Sequence, residues 1–379
     1  MGVLTSINAR AEVEGPRRAE RQHALGSFRN ARWTQTCVGM EIFVMAESQA
    51  DRLSLIAAEG LTLQRLESAY AVVRRFLPPT PLVESPSLSR RLKRPVWLKL
   101  ECVTPIRAFK VRGALVKVAE LEATGRMGPL VTASSGNHGL AVAFAGRRFV
   151  RHVTVFVPEG ASPVKVGAIR EQGAEVVVGG SVFELNERAL AEVERIGGEW
   201  VHPFDDPAVI AGQASIGREI AETLPDVSEV VAPIGGGGLA SGVAVGLALY
   251  APQARLVGVQ MDGADAMLRS VAEGRVVTLD RVATVADGLR PGTVSERTLR
   301  LVGGLAETLI RLTDVELLPA MHTLIARDRV LSEVSGAAGV AALLGGGVPG
   351  SGPVVAIVSG ANVPETDVLA ALEAPLPEM

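Results

Sequence analysis

The chain has 379 residues, 47% of them hydrophobic, and its 38 Lys and Arg against 41 Asp and Glu give a formal net charge of -3. That balance supplies no basic surface for a nucleic-acid backbone, and no apolar run approaches the roughly 20 residues that span a bilayer, so small molecules are the expected partners, with no nucleic acid and no membrane. Cys37 and Cys102 are the only cysteines, too few for a disulfide framework and without zinc-like spacing, which makes a reducing, cytoplasmic setting the default.

Residues 1–45 place Arg10, Arg17, Arg18, Arg21, Arg29 and Arg32 among Gly, Asn, Gln and Ser without helical or strand periodicity. This is the composition of a disordered N-terminal extension, with no apolar secretory core, and Met40 or Met45 is an alternative start. From Leu61, apolar residues at helical spacing lead into Pro78-Pro79-Thr80-Pro81, where the prolines end the helix. A strand at Val96–Leu100 and a connector containing Pro105 precede a helix that Lys110 opens and in which Ala114, Leu115, Val118 and Leu121 form the apolar stripe.

Strand-like runs then recur at Leu130–Ala133, Val153–Val157, Glu175–Val178, Glu229–Pro233, 255–259 and Val354–Val358. Helical segments are expected after the loop 134–137 and over 162–172, 208–224, 315–330 and 335–344. Ser181 and Glu184 fit an S-x-x-E capping box opening another helix to Ile196. The span containing Asp287-Gly288-Leu289 shows no regular period, and about 20 residues follow the last strand. Such alternation of strand and helix implies an α/β fold of parallel βαβ units.

Lys93, Lys99, Lys110, Lys117 and Lys165 are the only lysines, so an amine nucleophile must be one of them. Lys110 is the best placed, because the positive end of a helix dipole and the apolar Phe109 beside it both disfavour a charged amine. Gly235, Gly236, Gly237 and Gly238 follow a strand and open a helix, which suits close approach of backbone N–H groups to a phosphate. The same glycines also fit a dinucleotide turn with Asp262 as ribose ligand, or a flexible turn, although ordering consecutive glycines is entropically costly. Asn137 has a bland reading as a turn residue, and His138 one as a neutral imidazole packed at a helix start.

Taken in order, F-K-x-R-G-A at Phe109, S-S-G-N-H-G at Ser134, G-G-G-G-L at Gly235, E-x-S-G-A-A-G from Glu333 to Gly339 and S-G-x-N at Ser359 resemble the serine/threonine dehydratase group of fold-type II pyridoxal-phosphate enzymes, which includes serine racemase. The resemblance runs from about Leu61 to Asn362. It implies a tryptophan synthase β-like α/β fold of two open, parallel-rich sheets flanked by helices. The large domain would comprise 46–128 and 207–379, the small domain 129–206, with no C-terminal regulatory domain.

The implied cofactor is pyridoxal 5'-phosphate, held by Lys110 and by Phe109, Asn137 at the ring hydroxyl, Gly235, Gly236, Gly237, Gly238 and Leu239 at the phosphate, and Ser359 at the pyridine nitrogen. Ser134, Ser135, Gly136, Asn137 and His138 would bind the substrate. The implied reaction is dehydration and deamination of L-threonine or L-serine to 2-oxobutanoate or pyruvate and ammonia, in a homodimer. A serine racemase is the alternative, with Lys110 and Ser135 as acid/base groups on opposite faces, and a hydroxyl that only binds the carboxylate is an equal reading of Ser135. An NAD(P)-binding protein is the outside alternative. Two departures stand out: Ile106 and Arg107 occupy positions where the group has Thr and Gly, and Gln260 stands where an acid binds a divalent cation, so no metal is expected.

Overall fold

The computed structural model describes residues 32–35, 41–44, 48–134, 136–180 and 184–378, the first two segments as backbone. Ser135, Ser181 and the chain before residue 32 lie outside the described residues. In chain order the strands are β1 (Arg32–Gln35), β2 (Glu41–Val44), β3 (Leu82–Glu84), β4 (Val96–Leu100), β5 (Leu130–Ala133), β6 (Val153–Val157), β7 (Glu175–Val178), β8 (Glu199–Trp200), β9 (Glu229–Pro233), β10 (Arg255–Met261), β11 (Ala306–Leu312) and β12 (Val354–Val358).

They form an eight-stranded sheet in the order β1-β2-β11-β10-β9-β12-β4-β3 and a four-stranded sheet in the order β7-β6-β5-β8. The centre of the larger sheet, β11 through β4, is parallel, and so is the whole smaller sheet. Parallel strands carry helices on both faces, so they must be apolar on both sides. β9, β12 and β6 are buried along their whole length, as their Val- and Ile-rich runs demand.

Three expectations change. The unpacked tail expected through residue 45 gives way at β1 and β2, where β2 pairs antiparallel with β11 and β1 with β2. That pairing occupies the backbone of what would otherwise be an open sheet edge. The irregular span between β10 and the next helix holds helices at Ala266–Glu273 and Glu296–Leu305 and the strand β11. The helix expected over 315–330 is three short pieces, a 3-10 turn at Asp314–Glu316, an α-helix at Leu317–Thr323 and a π-helical turn at Leu324–Asp328, which Arg329 ends in the left-handed region at φ 60°.

Beneath the helix Lys110–Ala123 lies a buried ionic cluster that no local pattern announces. Arg112 donates from Nε to Glu101 at 2.8 Å, from Nη1 to Glu219 at 2.7 Å and Ser215 at 2.9 Å, and from Nη2 to both carboxylates and the Thr80 hydroxyl. Lys99 completes it, donating to Glu219 at 2.6 Å and to the Thr80 carbonyl at 2.8 Å. Two cations face two carboxylates, so the cluster is formally neutral. Burial alone would lower the Arg112 pKa, but Glu101 and Glu219 overcome it and hold the guanidinium charged. Since Lys99 is on β4 and Glu219 on the helix Pro207–Thr223, the cluster ties the Lys110 helix to both at once.

Replacing a buried pair with apolar groups can be neutral, whereas removing one partner strands a charge and costs roughly 3–5 kcal/mol. Arg112→Met should therefore lower stability by about that amount in urea denaturation. Arg195→Met, which breaks an exposed pair with Glu192, should leave the midpoint in place. Equal midpoints for the two variants would contradict the structural weight given to the cluster.

Candidate active site

β12 is hydrogen-bonded to β4 on one side and β9 on the other, all parallel. The segments leaving their carboxyl ends, 101–109, 359–362 and 234–238, therefore emerge side by side, at the edge where open α/β sheets hold ligands. Across from them lies the segment leaving β5, and between is a cleft of about 610 Å³. Phe109, Lys110, Ser134, Gly136, Asn137, His138, Gly235, Gly236, Gly237, Gly238, Leu239 and Ser359 all line it. Every expected site residue among the described residues is thus in one place.

The turn that delivers Lys110 is clipped to the Ser359 loop. Phe109 N–H donates to the Ser359 carbonyl at 3.0 Å, Ala361 N–H to the Arg107 carbonyl at 2.8 Å, and Asn362 Nδ2 to the Ile106 carbonyl at 2.9 Å. Thr104 closes the turn from within, its hydroxyl accepting Ala108 N–H and donating to Ala108 O, both at 2.9 Å. Arg107 takes φ 55° here, a left-handed conformation that costs a residue with a Cβ about 1–2 kcal/mol. Glycine at that position in the resembled group would carry no such cost.

Lys110 Nζ donates to the Pro203 carbonyl at 2.6 Å and lies 5.2 Å from the Phe109 ring centre. Burial lowers its pKa to about 8. The other lysine on the cleft, Lys165, stands at the mouth paired with Asp287 at 3.0 Å. Lys99 belongs to the ionic cluster and Lys117 pairs with Asp206 at 2.6 Å.

The tetraglycine turn is shaped by Phe204. A Cβ on Gly236 would stand 2.3 Å from the Phe204 ring and one on Gly238 2.8 Å from its Cβ, so this close approach admits glycine alone. Gly237 at φ 96° is the N-cap of the helix Gly238–Tyr250 and offers it no side-chain cap. The first-turn N–H groups of that helix thus face the cleft without the usual intrahelical partners, a ready site for a dianion. A lysine amine, an uncapped helix N-terminus, the buried Ser359 and the Asn137 amide together make a donor set that fits an aldehyde-bearing phosphate ester with an aromatic ring.

His138 Nε2 lies 2.9 Å from the Val201 carbonyl, which can only accept, so this nitrogen carries the proton. Burial, aided by Lys110, depresses its pKa to about 3 and keeps the ring neutral. His202 Nδ1 accepts the N–H groups of Phe204 and Asp205 at 3.2 and 2.7 Å, and burial lowers its pKa to about 4. Its ring meets Phe204 edge-on at 4.7 Å. His202, Pro203 and Phe204 escape sequence reasoning because they follow the two-residue strand β8, which has no apolar run to mark it.

Glu333 and Asn362, present in the sequence motifs without an assigned role, also line the cleft. Burial raises the Glu333 pKa to about 7, against the opposing pull of the Asn137 N–H. Gln260 lies inside β10 rather than after it, and its Oε1 accepts Leu268 N–H at 2.9 Å. Nearby Asp265 is paired with Arg269 at 2.8 Å and Arg311 at 3.0 Å.

Among known proteins, the L-threonine ammonia-lyase of Thermotoga maritima is 36% identical over 80% of this chain and 76% of its own length. The processed form of threonine deaminase isoform 2 from Solanum lycopersicum superposes with a TM-score of 0.76 at 32% identity, covering 82% of this chain and 87% of that one. Maize serine racemase superposes with a TM-score of 0.77 at 29% identity, over 82% and 96%. The family model described as pyridoxal-phosphate dependent enzyme matches residues 73–360, and with this cleft at the carboxyl ends of its parallel strands the chain belongs to that family.

Proposed function

We propose that the chain is an ammonia-lyase that dehydrates and deaminates L-threonine, with L-serine as a second substrate, to the 2-oxo acid and ammonia. The observation that carries this reading is Lys110, an amine of lowered pKa at the floor of a cleft that also holds an uncapped helix N-terminus and a neutral hydroxyl. The relatives named for threonine deamination support it.

Pyridoxal phosphate, when bound, acts as an electron sink that makes the α-proton of an amino acid labile. Lys110 is the group to tether it and, once released, to take that proton, with a pKa near the operating pH. Gly235 through Leu239 would hold the phosphate and Asn137 the ring hydroxyl. The helix Asn137–Arg148 points its N-terminus at the cleft, and with Ser134 and Gly136 it can hold the substrate carboxylate. Ser359 is a neutral partner for the ring nitrogen and cannot act as a counter-ion to a protonated ring. That favours loss of a β-substituent over chemistry that stores charge in the ring. We further propose a small domain built on the four-stranded sheet, a cytoplasmic setting and a homodimer, the commonest closed symmetry.

The purified holoenzyme should release 2-oxobutanoate from L-threonine with one ammonium per turnover. With L-serine, recovered amino acid analysed on a chiral column should remain mainly L while pyruvate accumulates; a product that is mainly D-serine would replace this reading with a racemase. Ser135→Ala tests the same division: loss of any L-to-D interconversion with elimination retained assigns Ser135 the opposite-face proton, whereas a shared modest loss assigns it the carboxylate.

With a pKa of about 8, about a tenth of Lys110 is neutral at pH 7, against less than about one in a thousand for an unshifted amine. Labelling of the cofactor-free protein by an amine-reactive reagent, read by peptide mapping, should therefore show a midpoint near pH 8 for Lys110. A midpoint above pH 10 would show that the cleft does not depress it.

A further inference from the structure

Asn137 and Asn362 belong to a hydrogen-bond chain with only one possible polarity. At one end the Ile106 carbonyl can only accept, so Asn362 donates to it through Nδ2 at 2.9 Å. The second Nδ2 hydrogen of Asn362 goes to Asn137 Oδ1 at 2.7 Å. Asn137 must then present Nδ2 on its other side, and it donates to Glu333 Oε1 at 2.7 Å. A primary amide nitrogen has two hydrogens, so one N–H of Asn137 is left over, on a side chain that lines the cleft.

Glu333 itself has little freedom. Its N–H donates to the Gly360 carbonyl at 2.9 Å. A Cβ on Gly360 would stand 2.7 Å from Oε1 and one on Gly288 3.6 Å from it, so the backbones of two cleft loops box the carboxyl in. The chain also crosses the cleft, since Asn137 follows β5 of the smaller sheet while Glu333 and Asn362 belong with the larger.

We propose that Glu333 is a positioning residue, which as terminal acceptor aims the Asn137 amide, its polarity already set from the Ile106 end, so that its remaining N–H faces the cofactor's ring oxygen. The proposal rests on the reading that Asn137 meets that oxygen. Without an acceptor at 333, Asn362 still holds Oδ1, but nothing aims Nδ2, so the amide plane can swing about that one remaining bond and carry its N–H off the line to the ring oxygen. A carboxyl near neutrality still accepts through Oε1 when Oε2 carries the proton, so the lock does not require a charge.

The test compares Glu333→Gln, which keeps an acceptor oxygen, with Glu333→Met, which removes it at similar volume. Each is reconstituted with pyridoxal phosphate, reading its dissociation constant and the wavelength of the bound-cofactor absorbance band. Glu333→Met should weaken binding at least tenfold and move the band, while Glu333→Gln stays within about threefold of wild type with the band in place. Unchanged affinity and band in Glu333→Met would overturn the proposal, and so would a loss in Glu333→Gln as large as in Glu333→Met. Should Glu333→Met fail to fold, judged by melting of the cofactor-free protein, Asn362→Leu cuts the chain at its other end and must move the band in the same way, or the proposal fails. Wild-type protein that binds no pyridoxal phosphate would instead contradict the cofactor reading on which the proposal stands.

Discussion

The site depends on one constraint, the parallel pairing of β12 with β4 and β9 at once. Parallel neighbours share a direction, so three loops distant in sequence must leave the sheet at the same edge. A strand reversed at that position would send the Ser359 loop to the opposite end of the molecule. The apolar character of β12, buried on both faces, is what holds it at the centre of the sheet and makes the placement robust.

Within that frame the position of Lys110 is set by two kinds of contact. From the cleft side, backbone and Asn362 hydrogen bonds clip the 104–109 turn to the 359–362 loop. From the core side, Arg112, two residues beyond the lysine, is fixed by Glu101 and Glu219. A lysine anchored from both sides has few ways to leave the cleft, and that rigidity is what a nucleophile of lowered pKa needs. The lowered pKa follows from the same enclosure, since burial is what disfavours its charged form.

Much of this was legible in the sequence. The strands β4, β5, β6, β9 and β12 stand at the bounds read from their short apolar runs, because strands buried on both faces write their burial directly into composition, and the edge strand β7 stands at its expected bounds on the strength of its three consecutive valines. The glycine loop was legible because only glycine tolerates what it meets there. β11 was not, since the Gly303-Gly304 pair falls inside the last turn of the helix Glu296–Leu305 and the strand itself is interrupted by Glu307 and Arg311. Nor was the ionic cluster, whose members Lys99, Glu101, Arg112 and Glu219 are brought together only by tertiary packing. Arg107 departs from the resembled motif, and its positive φ supplies the physical reason glycine suits that place.

The central claim is that Lys110 is the amine that engages the cofactor in this cleft. Borohydride reduction of the protein reconstituted with pyridoxal phosphate, followed by digestion and peptide mapping, tests it most directly. Reduced cofactor is expected on the peptide containing Lys110 and absent from those containing Lys93, Lys99, Lys117 and Lys165. Cofactor attached to Lys165 at the cleft mouth, or to any lysine other than Lys110, would contradict it.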